Sequence, residues 1–211
     1  MPSPGGARDV DVDQVLRYNY RLLTRFIIAR IVIIATLIAV PFVAVNGFAA
    51  RNSALWFLPA LVGVMLLILT VYRLRCGVRL VQCAKVLRTY PLRWQERVDK
   101  KSVERTEYGN VYTVRLPVRG QHGAPWMWAL NAAGSRRWPE GAEDGVWFAG
   151  DPPFGGVAVA PRSKGMLFLN PADWEKLAKQ REEADADRIA KAQEAKLDRR
   201  NWKRPIMWRG G

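Results

Sequence analysis

Histidine occurs once and cysteine twice in this chain of 211 residues, and that scarcity removes several kinds of chemistry. His122 lies in "RGQHGAP", a stretch that reads as a turn between strands. One imidazole cannot build a metal site with two thiols elsewhere in the chain. A Ser–His–Asp hydrolase would need His122 as its base, and nothing places Ser102, Ser135 or Ser163 beside it. Cys76 and Cys83 are seven residues apart on a predicted helix, about 10 Å, too far for a disulfide. The chain also lacks GxGxxG, GxxxxGK[ST], HExxH, GxSxG and CxxC patterns. No catalytic residue, cofactor-binding residue or metal ligand is expected, no cofactor is implied, and the chain does not read as an enzyme.

What the chain has in plenty is positive charge and unbroken apolar sequence. The net charge is +14 and is unevenly spread: residues 1–30 carry +2, residues 73–119 carry +8 and residues 199–211 carry +5. Such blocks suit nucleic acid or an anionic membrane surface. The apolar runs decide between them. Residues 31–50, "IVIIATLIAVPFVAVNGFAA", and 55–72, "LWFLPALVGVMLLILTVY", hold no charge and are joined by the short polar link 51–54. A hydrocarbon layer of about 30 Å takes about 20 helical residues, so residues 31–72 read as a two-span transmembrane hairpin. A domain this small could not surround two such helices with protein. The charged lead-in is too long for a cleavable signal peptide, so the first span reads as a retained anchor.

Arg17, Arg21, Arg25 and Arg30 precede the first span; Arg73, Arg75, Arg79, Lys85 and Arg88 follow the second; the link has only Arg51. The positive-inside rule then predicts a multi-pass protein of the plasma membrane with both termini cytoplasmic. Within residues 1–30, Asp11 or Asp13 can cap a helix, and Arg17, Arg21 and Arg25 share one face at four-residue spacing. With Tyr18 and Tyr20 beside them, they read equally as a juxtamembrane helix on an anionic leaflet or as a plain extension of the span.

Residues 73–90 keep helical spacing up to about Thr89, where Pro91 stops them. Residues 91–170 then show short apolar runs separated by turn clusters. Tyr112–Val118 alternates, and Trp126–Leu130, Val146–Ala149, Val157–Ala160 and Met166–Leu169 follow, with an earlier strand around Trp94–Val98. This predicts a small antiparallel β barrel or sandwich. Asn170 and Pro171 suit the start of a long C-terminal helix over residues 171–200, solvated for most of a length of about 42 Å and able to pair as a dimeric coiled coil.

The stretches "CAKVLRTYPLRW" and "VWFAGDPPFGGVAVAP" resemble two-span membrane proteins of high-GC Gram-positive bacteria, over about residues 25–170. Twenty-four arginines against nine lysines fit that bacterial origin. The resemblance implies no activity.

Two features invite a functional reading. Asp151 and Phe154 in "FAGDPPFGG" could form a ligand loop, since the glycines let backbone approach a ligand; the same residues suit a tight β connection. Trp126, Trp128, Trp138 and Trp147 beside Arg136 and Arg137 could stack bases, although filling a small core is the better reading. The tail 201–211 with its approach, "DRRNWKRPIMWRGG", sets Arg199, Arg200, Trp202, Lys203, Arg204, Trp208 and Arg209 against no acid after Asp198. This composition suits an anionic lipid surface, where cations are attracted and indoles occupy the headgroup zone. The expected function is a non-enzymatic membrane protein that presents a cytoplasmic β domain and a basic tail as an interaction module for other membrane or cytoplasmic proteins. The alternatives are an accessory subunit of a transport, secretion or conjugation assembly, and, less favoured, a nucleic-acid binder.

Overall fold

The computed structural model describes residues 10–47, 57–106, 109–117, 124–135 and 137–199. Two long apolar helices precede a seven-stranded antiparallel sheet and shorter helices. The chain divides into two compact units, residues 20–78 and residues 1–19 with 79–211.

Helix α1 runs Val12–Gly47 and α2 runs Leu58–Thr89. Asp11 caps α1, its carboxylate accepting from the Gln14 amide at 3.0 Å. Pro41 stands inside α1. In the unit of residues 20–78 the helices run antiparallel. Leu23 faces Gly77, Arg30 faces Thr70 and Ile38 faces Gly63, so contacts rise along one helix as they fall along the other. Gly63 permits the approach, because a Cβ there would meet Ile38 Cγ1 at 3.1 Å and Leu37 Cβ at 3.3 Å. Both helices are long and apolar enough to cross a membrane.

In the other unit the strands are β1 (Arg93–Gln95), β2 (Asp99–Thr106), β3 (Gly109–Arg115), β4 (Trp126–Asn131), β5 (Val146–Asp151), β6 (Gly155–Val159) and β7 (Met166–Pro171). They form one sheet in the order β1-β5-β6-β7-β4-β3-β2, which narrows the expected barrel or sandwich to a single sheet. β2, "DKKSVERT", escapes sequence reading because five of its eight residues are charged, as suits an edge strand.

β1 and β2 stand at opposite ends of this order, yet only Glu96–Val98 separate them in the chain. Strands about 4.8 Å apart would put the edges of a flat seven-stranded sheet about 29 Å from each other. Four Cα–Cα steps reach at most about 15 Å, so the sheet is rolled until its edges approach at that link. One face encloses Tyr112, Val114, Met127, Phe148, Leu167 and Leu169 among its buried core. Gly156 makes room there, since a Cβ would collide with the Phe148 ring. The β4–β5 connection adds Ala142 and Trp138 to this core, with Lys100 reaching Glu143 at 3.3 Å.

The opposite face is buried too. Ala149, Val157, Phe168, Leu130 and Val111 form one row across five strands and are at most 2% exposed. Asp151, whose side chain points to that face, holds Arg188, and Asn19 Nδ2 donates to Lys164 O in the β6–β7 turn at 2.8 Å. Both faces of the sheet therefore need cover, and about 80 residues of strand and turn could not supply it alone.

The long C-terminal helix is not formed. Residues 170 and 171 belong to β7, opposite Trp128 and Met127, so Asn170 caps nothing. After a 3₁₀ turn at Glu175–Leu177 come α3 (Ala178–Glu182) and, past a break, α4 (Ala186–Glu194). The break has a local cause. Asp185 takes an extended backbone, and its side chain accepts from the Arg188 amide at 2.8 Å, ending one helix and starting the next. Nor is this segment mainly solvated, for Ala192, Ala195 and Leu197 are fully buried. The chain turns at Lys196, whose carbonyl accepts from Gln82 Nε2 on α2 at 3.0 Å.

Candidate functional site

Asp151 ends β5, where its carbonyl accepts from the Phe154 amide at 2.9 Å and closes a turn through Pro152 and Pro153. Alternation along β5 sends the Asp151 side chain to the same face as Ala149, toward α4. There Arg188 meets it with Nε to Oδ2 at 2.8 Å and Nη2 to Oδ1 at 2.9 Å, a bidentate ion pair. Asp151 is 8% exposed. The hydrogen bonding that Arg188 donates to the Asp151 carboxylate raises the Arg188 pKa.

Two further buried polar groups border this pair. Tyr90 follows the end of α2, its amide donating to Val86 O at 2.9 Å, and its hydroxyl is buried without a hydrogen-bond partner among the described residues. Burial pushes its pKa up to about 12, with the Asp151 charge adding to the rise. Asn170 sits on β7, and its Nδ2 is likewise buried with no partner among the described residues. Gly155, paired with Asp151, separates it from Asn170, and a Cβ on Gly155 would lie 3.4 Å from Asn170 Oδ1. The arrangement is suited to holding elements together. A guanidinium occupies both Asp151 oxygens, and the Tyr90 hydroxyl stays protonated at neutral pH.

Sequence reading singled out Asp151 but neither Tyr90 nor Arg188, and it gave Asn170 another role. Their sequence separations carry no local pattern, and only the register of β5, β6 and β7 brings Asp151 and Asn170 to one end of the sheet. Phe154 is 4% exposed, a packed residue in this structure. The tryptophans have mostly internal partners. Trp138 packs on the core and meets Tyr112 edge-on at 4.8 Å. Trp147 meets Trp94 at 5.4 Å, while Lys101 and Arg115 lie over Trp126 at 5.7 and 4.9 Å.

Of the residues expected at a membrane surface, Arg17, Arg21 and Arg25 are exposed on α1, at four-residue spacing, and Arg17 Nε donates to Asp13 O. Arg199 is exposed and 3.8 Å from Asp198. Arg200, Trp202, Lys203, Arg204, Trp208 and Arg209 lie outside the described residues, as does His122. Among the described residues no group of three or more His, Cys, Asp or Glu could hold a metal ion. No protein-family model, curated protein or solved structure matches this chain.

Proposed function

We propose that this chain is an integral membrane protein of two spans, with both termini in the cytoplasm, that presents its sheet domain as a non-enzymatic interaction module beside an anionic leaflet. The carrying observation is the uncovered apolar surface of α1 and α2. Phe42, Val43, Leu61 and Met65 are each at least 64% exposed, and similar residues surround them along both helices. In water such a surface would drive association; in hydrocarbon it is the ordinary outer face of a helical hairpin. Support for the orientation comes from the cations, which flank residues 31 and 72 and are nearly missing from the link. Arg17, Arg21 and Arg25, with the basic tail of Arg199, Arg200, Lys203, Arg204 and Arg209 and its Trp202 and Trp208, supply the lipid-surface contacts in this reading.

A second reading, an accessory subunit of a larger membrane assembly, is favoured by Ala35 and Ala39. Both are exposed one turn apart on α1, where another helix could approach closely, whereas Gly63 is already used inside the hairpin.

The test is thiol labelling in intact cells with a membrane-impermeant maleimide, starting from a variant without Cys76 and Cys83. Ser53→Cys should react from outside and Ser135→Cys only after lysis. Equal labelling of both before lysis would sink the orientation, and recovery of the protein in the soluble fraction would sink the membrane assignment.

A further inference from the structure

From Gln14 to Gln95 the chain has no Asp or Glu, against ten arginines and one lysine. Every guanidinium in the hairpin therefore lacks a carboxylate within its own segment, and a second copy of the chain would bring none at the same depth. Arg30 is the case where this matters most. It directly precedes the apolar run 31–50, and it faces Thr70, two residues before the end of the run 55–72. Its guanidinium lies over the Phe26 ring, 4.7 Å from the centroid, with Nη1 3.5 Å from Thr70 Oγ1. Thr70 donates its own proton to Leu66 O at 2.7 Å, which turns an oxygen lone pair toward Arg30. Thr70 is 5% exposed and Arg30 is partly exposed, so the cation is held at its inner side and open at its outer side. A guanidinium has five N–H donors in a planar fork, and Thr70 takes one of them.

On the reading of the hairpin as membrane-crossing, we infer that Arg30 is a lipid-phosphate site: the phosphate of an anionic glycerophospholipid in the cytoplasmic leaflet accepts the remaining N–H donors of the fork. A cation at the rim of the hydrocarbon is costly without a counter-charge, and the phosphate layer is the anion found at that depth. The guanidinium fork matches two phosphate oxygens, a bidentate fit that a lysine ammonium cannot reproduce. Phe26 and Thr70 restrict the side chain beforehand, so less freedom is lost on binding.

The experiment uses the full-length protein in mild-detergent micelles, titrated with phosphatidylglycerol, phosphatidylcholine or inorganic phosphate, with retained lipid counted by native mass spectrometry. The wild type should hold one phosphatidylglycerol with about tenfold higher affinity than the Arg30→Gln variant, and phosphatidylcholine more weakly. Arg30→Lys should fall between the two, and Thr70→Val should weaken retention modestly. Arg97→Gln, at an exposed cation between β1 and β2, should leave this one lipid in place. Unchanged near-ultraviolet circular dichroism in Arg30→Gln shows that the fold survives. Equal phosphatidylglycerol retention by wild type and Arg30→Gln overturns the site. Displacement of the lipid by millimolar inorganic phosphate overturns the lipid as the source of the anion. Failure of the membrane reading looks different: the wild type would not float with neutral vesicles at all, whereas loss of this site alone leaves flotation intact.

Discussion

The hairpin and the sheet domain use apolar residues in opposite ways. In the sheet domain every residue of β6 and β7 is buried, whereas along α1 and α2 most large apolar residues between Ile28 and Val71 are exposed. Rolling a sheet and covering its outer face with helix ends excludes water from both sides of the strands. A pair of helices can bury only the narrow strip between them, here marked by Ile34, Gly63 and Thr70. Apolar content alone does not separate these cases. What separates them is whether the chain itself supplies the cover.

Phe168→Ala empties a fully buried position of β7 and should destabilise the sheet domain by about 3–5 kcal/mol. Met65→Ala, at a position 64% exposed on α2, should change denaturant stability in micelles by well under about 1 kcal/mol. Similar losses at both positions would mean that the hairpin face is covered after all. Next comes the ion pair on the outer face of the sheet. Asp151→Asn should cost about 2 kcal/mol in a urea melt, less than a fully buried pair would, because the Arg188 side chain is 42% exposed. In a double-mutant cycle with Arg188→Gln most of that cost should appear as coupling.

Tyr90 makes the stability of the sheet domain depend on pH. Its folded pKa is raised from the ordinary 10 to about 12, so the folded state holds its proton more tightly than the unfolded chain. This contribution is complete below pH 10 and is lost as the pH rises toward 12. Tyr90→Phe should flatten the loss of stability across that window and cost little at pH 7, since the hydroxyl has no partner to forfeit among the described residues. A matching alkaline slope in both proteins would place the effect elsewhere. The smallest effect is at Lys196, which adopts φ of 56° where the chain turns away from α4. Lys196→Gly should raise stability by about 0.5 kcal/mol, measured as a shift in the denaturation midpoint.

Local chemistry made much of this protein legible in its sequence. The two apolar helices, a cap at Asp11 or Asp13, the stop of α2 before Pro91 and the approximate positions of β3 to β7 follow from periodicity and turn residues within a few positions of each element. Those signals act over one turn or one strand, so no distant part of the chain needs to be known. The tertiary structure decided the rest. β2 has no apolar alternation and is a strand because β3 offers it a ladder. Asn170 could start a helix as well as extend β7, and pairing with Trp128 settles which. Residues 172–199 have good helical composition, but Asp185, Arg188 and Leu197 each gain more from a cap, an ion pair and a buried position than from one continuous helix. The grouping of Tyr90, Asp151, Asn170 and Arg188 spans 99 residues of chain, from 90 to 188, and only a rolled sheet with helices on its outer face brings those groups together. Short-range patterning selects elements; which polar groups share a buried site depends on register and packing, which no local stretch encodes.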